Sequence, residues 1–275
     1  MCKLIFLVSL LISFPYTVKA QENTLSFGIV PQQSAKRLAK LWTPIFEYLN
    51  KKTGLNIVFS TAKDIPTFEK RLKSGEYDIA YMNPYHYIVF HDTTGYNAIA
   101  KQIDKTIQGV IVAKKGGNIQ TINDLEGKRL AFPAPASFAA TILPQAELNK
   151  RGITFTPSYV SSHDSVYLNV SKGFFSAGGG INRTLNNIPI AIKSTLTTIW
   201  QSAKYTSHAI ATHPKVDKLS REKILTALVN MTNSEQGRTL LKSINFKGFQ
   251  SAVNNDWDDV RALHIKTPVT VNKIN

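Results

Sequence analysis

The chain of 275 residues is 43% hydrophobic and 19% charged, carries 33 Lys+Arg against 18 Asp+Glu for a formal net charge of +15, and has one cysteine, Cys2. This is the composition of an ordinary folded protein, long enough for two domains of normal size or one large one, and it excludes a disulfide framework. The positive balance favours anionic ligands or surfaces. Nucleic acid is excluded as a partner because the basic residues come in ones and twos, as at Lys36-Arg37 and Lys150-Arg151, with no basic stripe interleaved by aromatic residues.

The first twenty residues read as a secretory signal peptide. Lys3 supplies the positive start, residues 4–14 form an apolar run too short to span a bilayer, and Val18-Lys19-Ala20 has the small–x–small form of a cleavage site. Cleavage after Ala20 would leave a chain that starts at Gln21 and has no cysteine. Cys2 follows Met1 with no apolar run before it, so it is not a lipid-attachment cysteine. The expectation is a soluble periplasmic protein, not a lipoprotein.

Beyond Gln21 strands and helices alternate. Leu25, Phe27 and Ile29 alternate with Ser26 and Gly28 as a strand that ends at Pro31. Leu38, Trp42, Ile45, Phe46 and Leu49 then recur at helical spacing, with Ser34 as N-cap and Gly54 past the end. Residues 55–59 are a strand, Asp64 caps a short helix, and residues 77–81 are a third strand. Asn83-Pro84 opens the next helix, and residues 96–103 and 108–113 read as strands leading into a second series. There, a helical turn at Asn123-Asp124 precedes a strand over 128–132. The loop from Pro133 to Ser137 enters a helix running through Asn149, in which Pro144 predicts a kink or a late start. A strand over 153–160 and a helix opened by Ser162-His163-Asp164 follow, and Gly178-Gly179-Gly180 and residues 190–200 complete the region. After Tyr205 the pattern turns helical, with Ser220 capping a helix through Met231. Such βα alternation predicts mostly parallel sheets with ligands at the C-terminal strand ends.

Three loops share one design: each follows a strand, precedes a helix and contains a serine, at Ser34, Ser137 and Ser162. A helix start offers unpaired N–H groups and partial positive charge, and a serine adds a hydroxyl. Either simple capping or convergence on an anion would use these serines.

Several segments carry a resemblance to one family. Phe27 to Pro31 followed by Trp42-Thr43-Pro44-Ile45-Phe46-Glu47-Tyr48-Leu49, and Leu72 to Tyr81 running into Asn83-Pro84-Tyr85-His86-Tyr87, are two of them. Asp124-Leu125-Glu126-Gly127-Lys128 and Ser162-His163-Asp164 complete an ordered set. Together they resemble the phosphate/phosphite/phosphonate-binding family of periplasmic ABC-transporter solute-binding proteins. The resemblance implies an α/β Venus-flytrap fold of two lobes joined by two hinge crossings. Residues 21–107 with 206–275 would form lobe one, and 108–205 lobe two.

The same resemblance places ligand-binding residues at Tyr87, in the loop Ala136-Ser137-Phe138-Ala139, and at His163, whose ring N–H would donate to an anion; the shared loop design adds Ser34. The family's anion loop keeps one hydroxyl here, at Ser137, and gains the ring of Phe138. The family's acidic ligand residue should fall near residues 176–181, where no carboxylate is present. The implied function is capture of a small oxyanion for an ABC permease by a monomer. The alternative is a sensing subunit that docks a membrane histidine kinase.

No enzymatic, cofactor or metal chemistry is expected. Gly-x-Ser-x-Gly and phosphate-loop motifs are absent, and the glycine triplet lacks dinucleotide spacing. His86/His91 and His208/His213 are each five residues apart, off the spacing that puts two ligands on one helix face.

Overall fold

The computed structural model describes residues 24–265, so the expected signal peptide and Cys2 lie outside the described residues. In chain order the strands are β1 (Thr24–Ile29), β2 (Asn56–Ser60), β3 (Ile79–Met82), β4 (Asn97–Gln102), β5 (Thr106–Ile107), β6 (Gly109–Lys114) and β7 (Lys128–Phe132). They continue as β8 (Phe155–Tyr159), β9 (Ala177–Ile181), β10 (Leu196–Gln201), β11 (Tyr205–Thr206), β12 (Ala209–Thr212) and β13 (Phe249–Ser251). One sheet has the order β13-β4-β12-β3-β1-β2, a second β10-β6-β9-β7-β8. A two-stranded ribbon of β5 and β11 carries both crossings between them.

The expected parallel pairing holds where strand–helix–strand units run on, at β2-β1-β3 and β8-β7-β9. It gives way to antiparallel pairing where the chain returns: β12 lies between β3 and β4, and β6 between β9 and β10. The reading after Tyr205 is corrected here. Ala209–Thr212 is not helical but a fully buried central strand. Four residues of Ala, Ile and Thr are too few to show a period, so only tertiary pairing reveals the strand.

Local chemistry fixes most helix starts. Ser34, Asp64, Asn83 and Ser162 all accept a backbone N–H two or three residues into their helices. The helix expected from Ser220 starts earlier, at Lys218, because Asp217 caps it through the Ser220 N–H at 2.9 Å. Pro144 has the expected effect. The segment opens as a π turn over Phe138–Ile142 and becomes α-helical only from Leu143. There Pro sits in the first turn, where its missing N–H costs nothing.

In the first sheet Phe27 stacks on Phe46 at 4.8 Å, and Trp42 packs on Tyr81 at 5.2 Å and edge-on to Phe246 at 5.9 Å. The helical spacing read in the sequence thus delivers Trp42, Phe46 and Leu49 to one buried face. The second sheet is built differently around the glycines of β9. A Cβ on Gly179 would lie 1.9 Å from the Ala140 carbonyl oxygen, and one on Gly109 2.1 Å from that of Ala139. The π turn therefore lies with its backbone against β6 and β9, which fixes the loop in front of it.

Candidate functional site

The three loop serines have separate fates. Ser34 is exposed and caps its helix by accepting the Arg37 N–H at 3.4 Å. Ser162 accepts the Ser165 N–H at 3.1 Å and donates to Ser165 Oγ at 2.9 Å. Ser137, 5% exposed, makes no capping bond. Its hydroxyl meets only His163 Nε2, at 3.5 Å.

The loop is walled on several sides. Asn83 donates to the Ala136 carbonyl at 3.3 Å, and Phe138 meets Tyr205 of the crossing ribbon edge-on at 5.5 Å. Ala136, Phe138 and Ala139 are buried. Phe138 and Ala139 head the π turn, so their N–H groups have no acceptor within it.

His163 is 1% exposed, and its Nδ1 has no hydrogen-bond partner. Burial, with the nearby Arg183 charge adding to it, pushes its pKa down to about 3. The ring is therefore neutral and donates from one tautomer, not as an imidazolium. Tyr87 lies elsewhere. Its hydroxyl donates to Asn254 Oδ1 at 3.0 Å and accepts the Ala98 N–H, and its ring packs on Trp257 at 4.5 Å. None of Ser34, Tyr87, Ser137 and His163 is among the residues that line the cavity between the two sheets; of the four, the buried His163 is near enough to feel the charge of Arg183 on the cavity wall.

That cavity, of about 210 Å³, holds the residues that sequence reasoning missed. Tyr81, Ser207 and His208 face it from the first sheet's side, Ile181 and Arg183 from the end of β9, and residues 104–108 from the crossing. Arg183 donates to Gln32 Oε1 at 2.6 Å and to Tyr81 Oη at 3.4 Å. Gln32 then turns its amide nitrogen to His208 Nε2 at 2.8 Å. An amide nitrogen only donates, so His208 Nε2 accepts and the ring carries its hydrogen on Nδ1. Burial first, and then Arg183, hold the His208 pKa well below its ordinary value, in keeping with that neutral form.

Among the described residues no carboxylate lies within ion-pair distance of Arg183. The Ser207 hydroxyl on the cavity wall is buried with no partner. Where a carboxylate was expected, residues 177–181 form the packed strand β9, and a guanidinium stands two residues beyond it. One signal could have found Arg183: it follows the C-terminal end of a strand, where ligands bind in open α/β sheets. Gln32 carries the same signal, in the loop between the first strand and the first helix, while Tyr81 and His208 had none, because strand pairing alone brings them together. Among the described residues no three His, Cys, Asp or Glu side chains are grouped as a metal ion would need.

Residues 27–257 match the model of a family described as the periplasmic substrate-binding protein of a phosphonate ABC transporter. The chain belongs to this family. Two curated relatives agree with that membership. The Escherichia coli phosphonates-binding periplasmic protein is 22% identical over 94% of this chain and 80% of its own length. The Mycolicibacterium smegmatis phosphate-import protein PhnD is 22% identical over 85% of this chain and 77% of its own. Among solved structures, PhnD1 of Prochlorococcus marinus in complex with methylphosphonate superposes with a TM-score of 0.80 at 18% identity, covering 87% of this chain and 96% of that one. Family membership makes the chain a periplasmic substrate-binding protein of an ABC importer, with a small-molecule ligand and a permease as partners. Delivery to a permease is thereby favoured over the sensing alternative.

Proposed function

We propose that this protein binds a small oxyanion of the phosphate or phosphonate class in the seam between its two sheets, with Arg183 and the Ser137–His163 pair, one member donating to the anion while the other holds it, as the principal donors. One observation carries the reading. A guanidinium without a carboxylate lines the same cavity as the buried Ser207 hydroxyl, which has no partner, and its charge reaches the buried His163 ring, whose Nδ1 has none either. Buried polar groups are normally satisfied, and an anion would satisfy these. The relatives' names, one a phosphate importer and one a phosphonate binder, point to the same ligand class.

The division into lobes, 21–107 with 206–275 against 108–205, is supported by the way the sheets divide. Closure would be a hinge motion at the β5/β11 ribbon, and the unit that closes is a monomer. Export would follow cleavage after Ala20. The protein acts by capture and release, with no chemistry performed on the ligand.

Isothermal titration with phosphate, methylphosphonate and sulfate tests the reading, with thermal shift as a second readout. At least one should bind and raise Tm with saturation. A hydrogen bond to a charged partner is worth about 1.5–3 kcal/mol, so Ser137→Ala should weaken that binding roughly ten- to a hundredfold. Unchanged affinity in Ser137→Ala, or no response to any of the three anions, overturns it.

A further inference from the structure

We propose that the ligand of this cleft carries a second anionic group that meets Arg183, and that the site selects against ligands bearing a cationic substituent. This rests on the anion-binding reading above and narrows its ligand class. The argument is a count of charges and donors on the cavity wall.

The charged side chains lining the cavity are Arg183, Lys105 and Asp104. Asp104 stands at the exposed mouth, where solvent screens its 72% exposed carboxylate and Lys247 lies 3.7 Å away. The fixed charge left facing a ligand is positive. The neutral side chains donate as well: His208 keeps a hydrogen on Nδ1, and Ser207 and Tyr81 bring hydroxyls. An ammonium group here would meet the like charge of Arg183 and no carboxylate but the solvent-screened Asp104, a juxtaposition that costs affinity.

A carboxylate or second oxyanion meets the reverse. A guanidinium has five N–H donors in a planar fork that matches such groups. Arg183 spends its bonds on two neutral oxygens, Gln32 Oε1 and Tyr81 Oη. On the reading above, the first oxyanion takes its donor from the Ser137–His163 pair, outside the lining of this cavity, so the two ends of the ligand need not share one set. About 210 Å³ equals the liquid volume of roughly seven waters. That suits a compact two-headed acid.

The experiment is isothermal titration of the wild-type protein with phosphonoacetate, methylphosphonate and 2-aminoethylphosphonate, which differ in the charge of the substituent. Phosphonoacetate should bind on the order of tenfold or more tighter than 2-aminoethylphosphonate, with methylphosphonate between. Arg183→Glu should reverse the order. If that variant does not fold, Arg183→Gln should flatten it, and the wild-type ranking decides without either. Equal or tighter binding of 2-aminoethylphosphonate, or no gain of phosphonoacetate over methylphosphonate, overturns this inference and leaves the oxyanion reading standing. Binding of none of the three overturns both.

Discussion

In the first sheet, rings fill the space between strands and helices: Phe27, Trp42, Phe46, Tyr81 and Phe246 pack at 4.8–6.3 Å from one to the next. In the second, the space is removed by deleting side chains, so that the π turn's carbonyls sit where the Cβ atoms of Gly109 and Gly179 would be. A core filled by side chains gives way locally when one is cut back. Side chains such as Phe132 and Tyr167 fill the rest of the second core, but where backbone meets backbone there is nothing to cut back, and any added atom must push the turn. Since that turn carries Ser137, error in the second core is transmitted to the ligand loop, while error in the first is absorbed as lost stability.

Trp42→Ala should show the largest effect of this difference. Deleting a buried tryptophan costs about 3–5 kcal/mol, read as a lower denaturant midpoint, while affinity at saturating fold stays within about threefold. Gly179→Ala should cost less in stability, about 1–3 kcal/mol for overpacking, yet weaken anion binding about tenfold or more because the Ala140 carbonyl must move. If Gly179→Ala binds as wild type does, the two cores are equivalent and the comparison fails.

The smallest effect is a pH dependence that both sides share. His163 and His208 are buried neutral, with folded pKa values below that of the unfolded chain. Protons therefore bind preferentially to the unfolded state. The stability is fully present above about pH 6.5 and is lost as pH falls toward the folded value, about 3 for His163. Between pH 6.5 and 5 His163 should cost about 1.5 kcal/mol, and His208 acts in the same direction. Melting curves across that range should be flatter for His163→Gln than for wild type. Parallel curves would mean that His163 does not titrate on unfolding.

The sequence carried what is local. Lys128–Phe132 is a strand with the bounds its pattern suggested, and the caps at Ser34, Asp64, Asn83 and Ser162 were readable because each needs only a side chain near its own backbone. Within the candidate site, the loop at 136–139 and His163 were named from the resemblance, and the structure sets Ser137 beside His163. Their partners were not legible. Arg183 reaches Gln32 across 151 positions of chain, and Gln32 reaches His208 across 176. No period or spacing encodes such meetings. Asp217 and Ser220 show a smaller version of the same limit: both are good capping residues, and only geometry chose the first.

Strand β12 also bears on how the molecule is made. The second sheet draws on one continuous stretch, β6 to β10, whereas the first cannot close until the chain returns and Ile210 pairs with Tyr81. Contacts of such long range pay loop-closure entropy before any pairing rewards it. The cavity takes Tyr81 from one side of this late join and His208 from the other. The capacity to recognise a ligand thus comes only once β12 has joined the two stretches of chain that supply the first sheet's share of the wall.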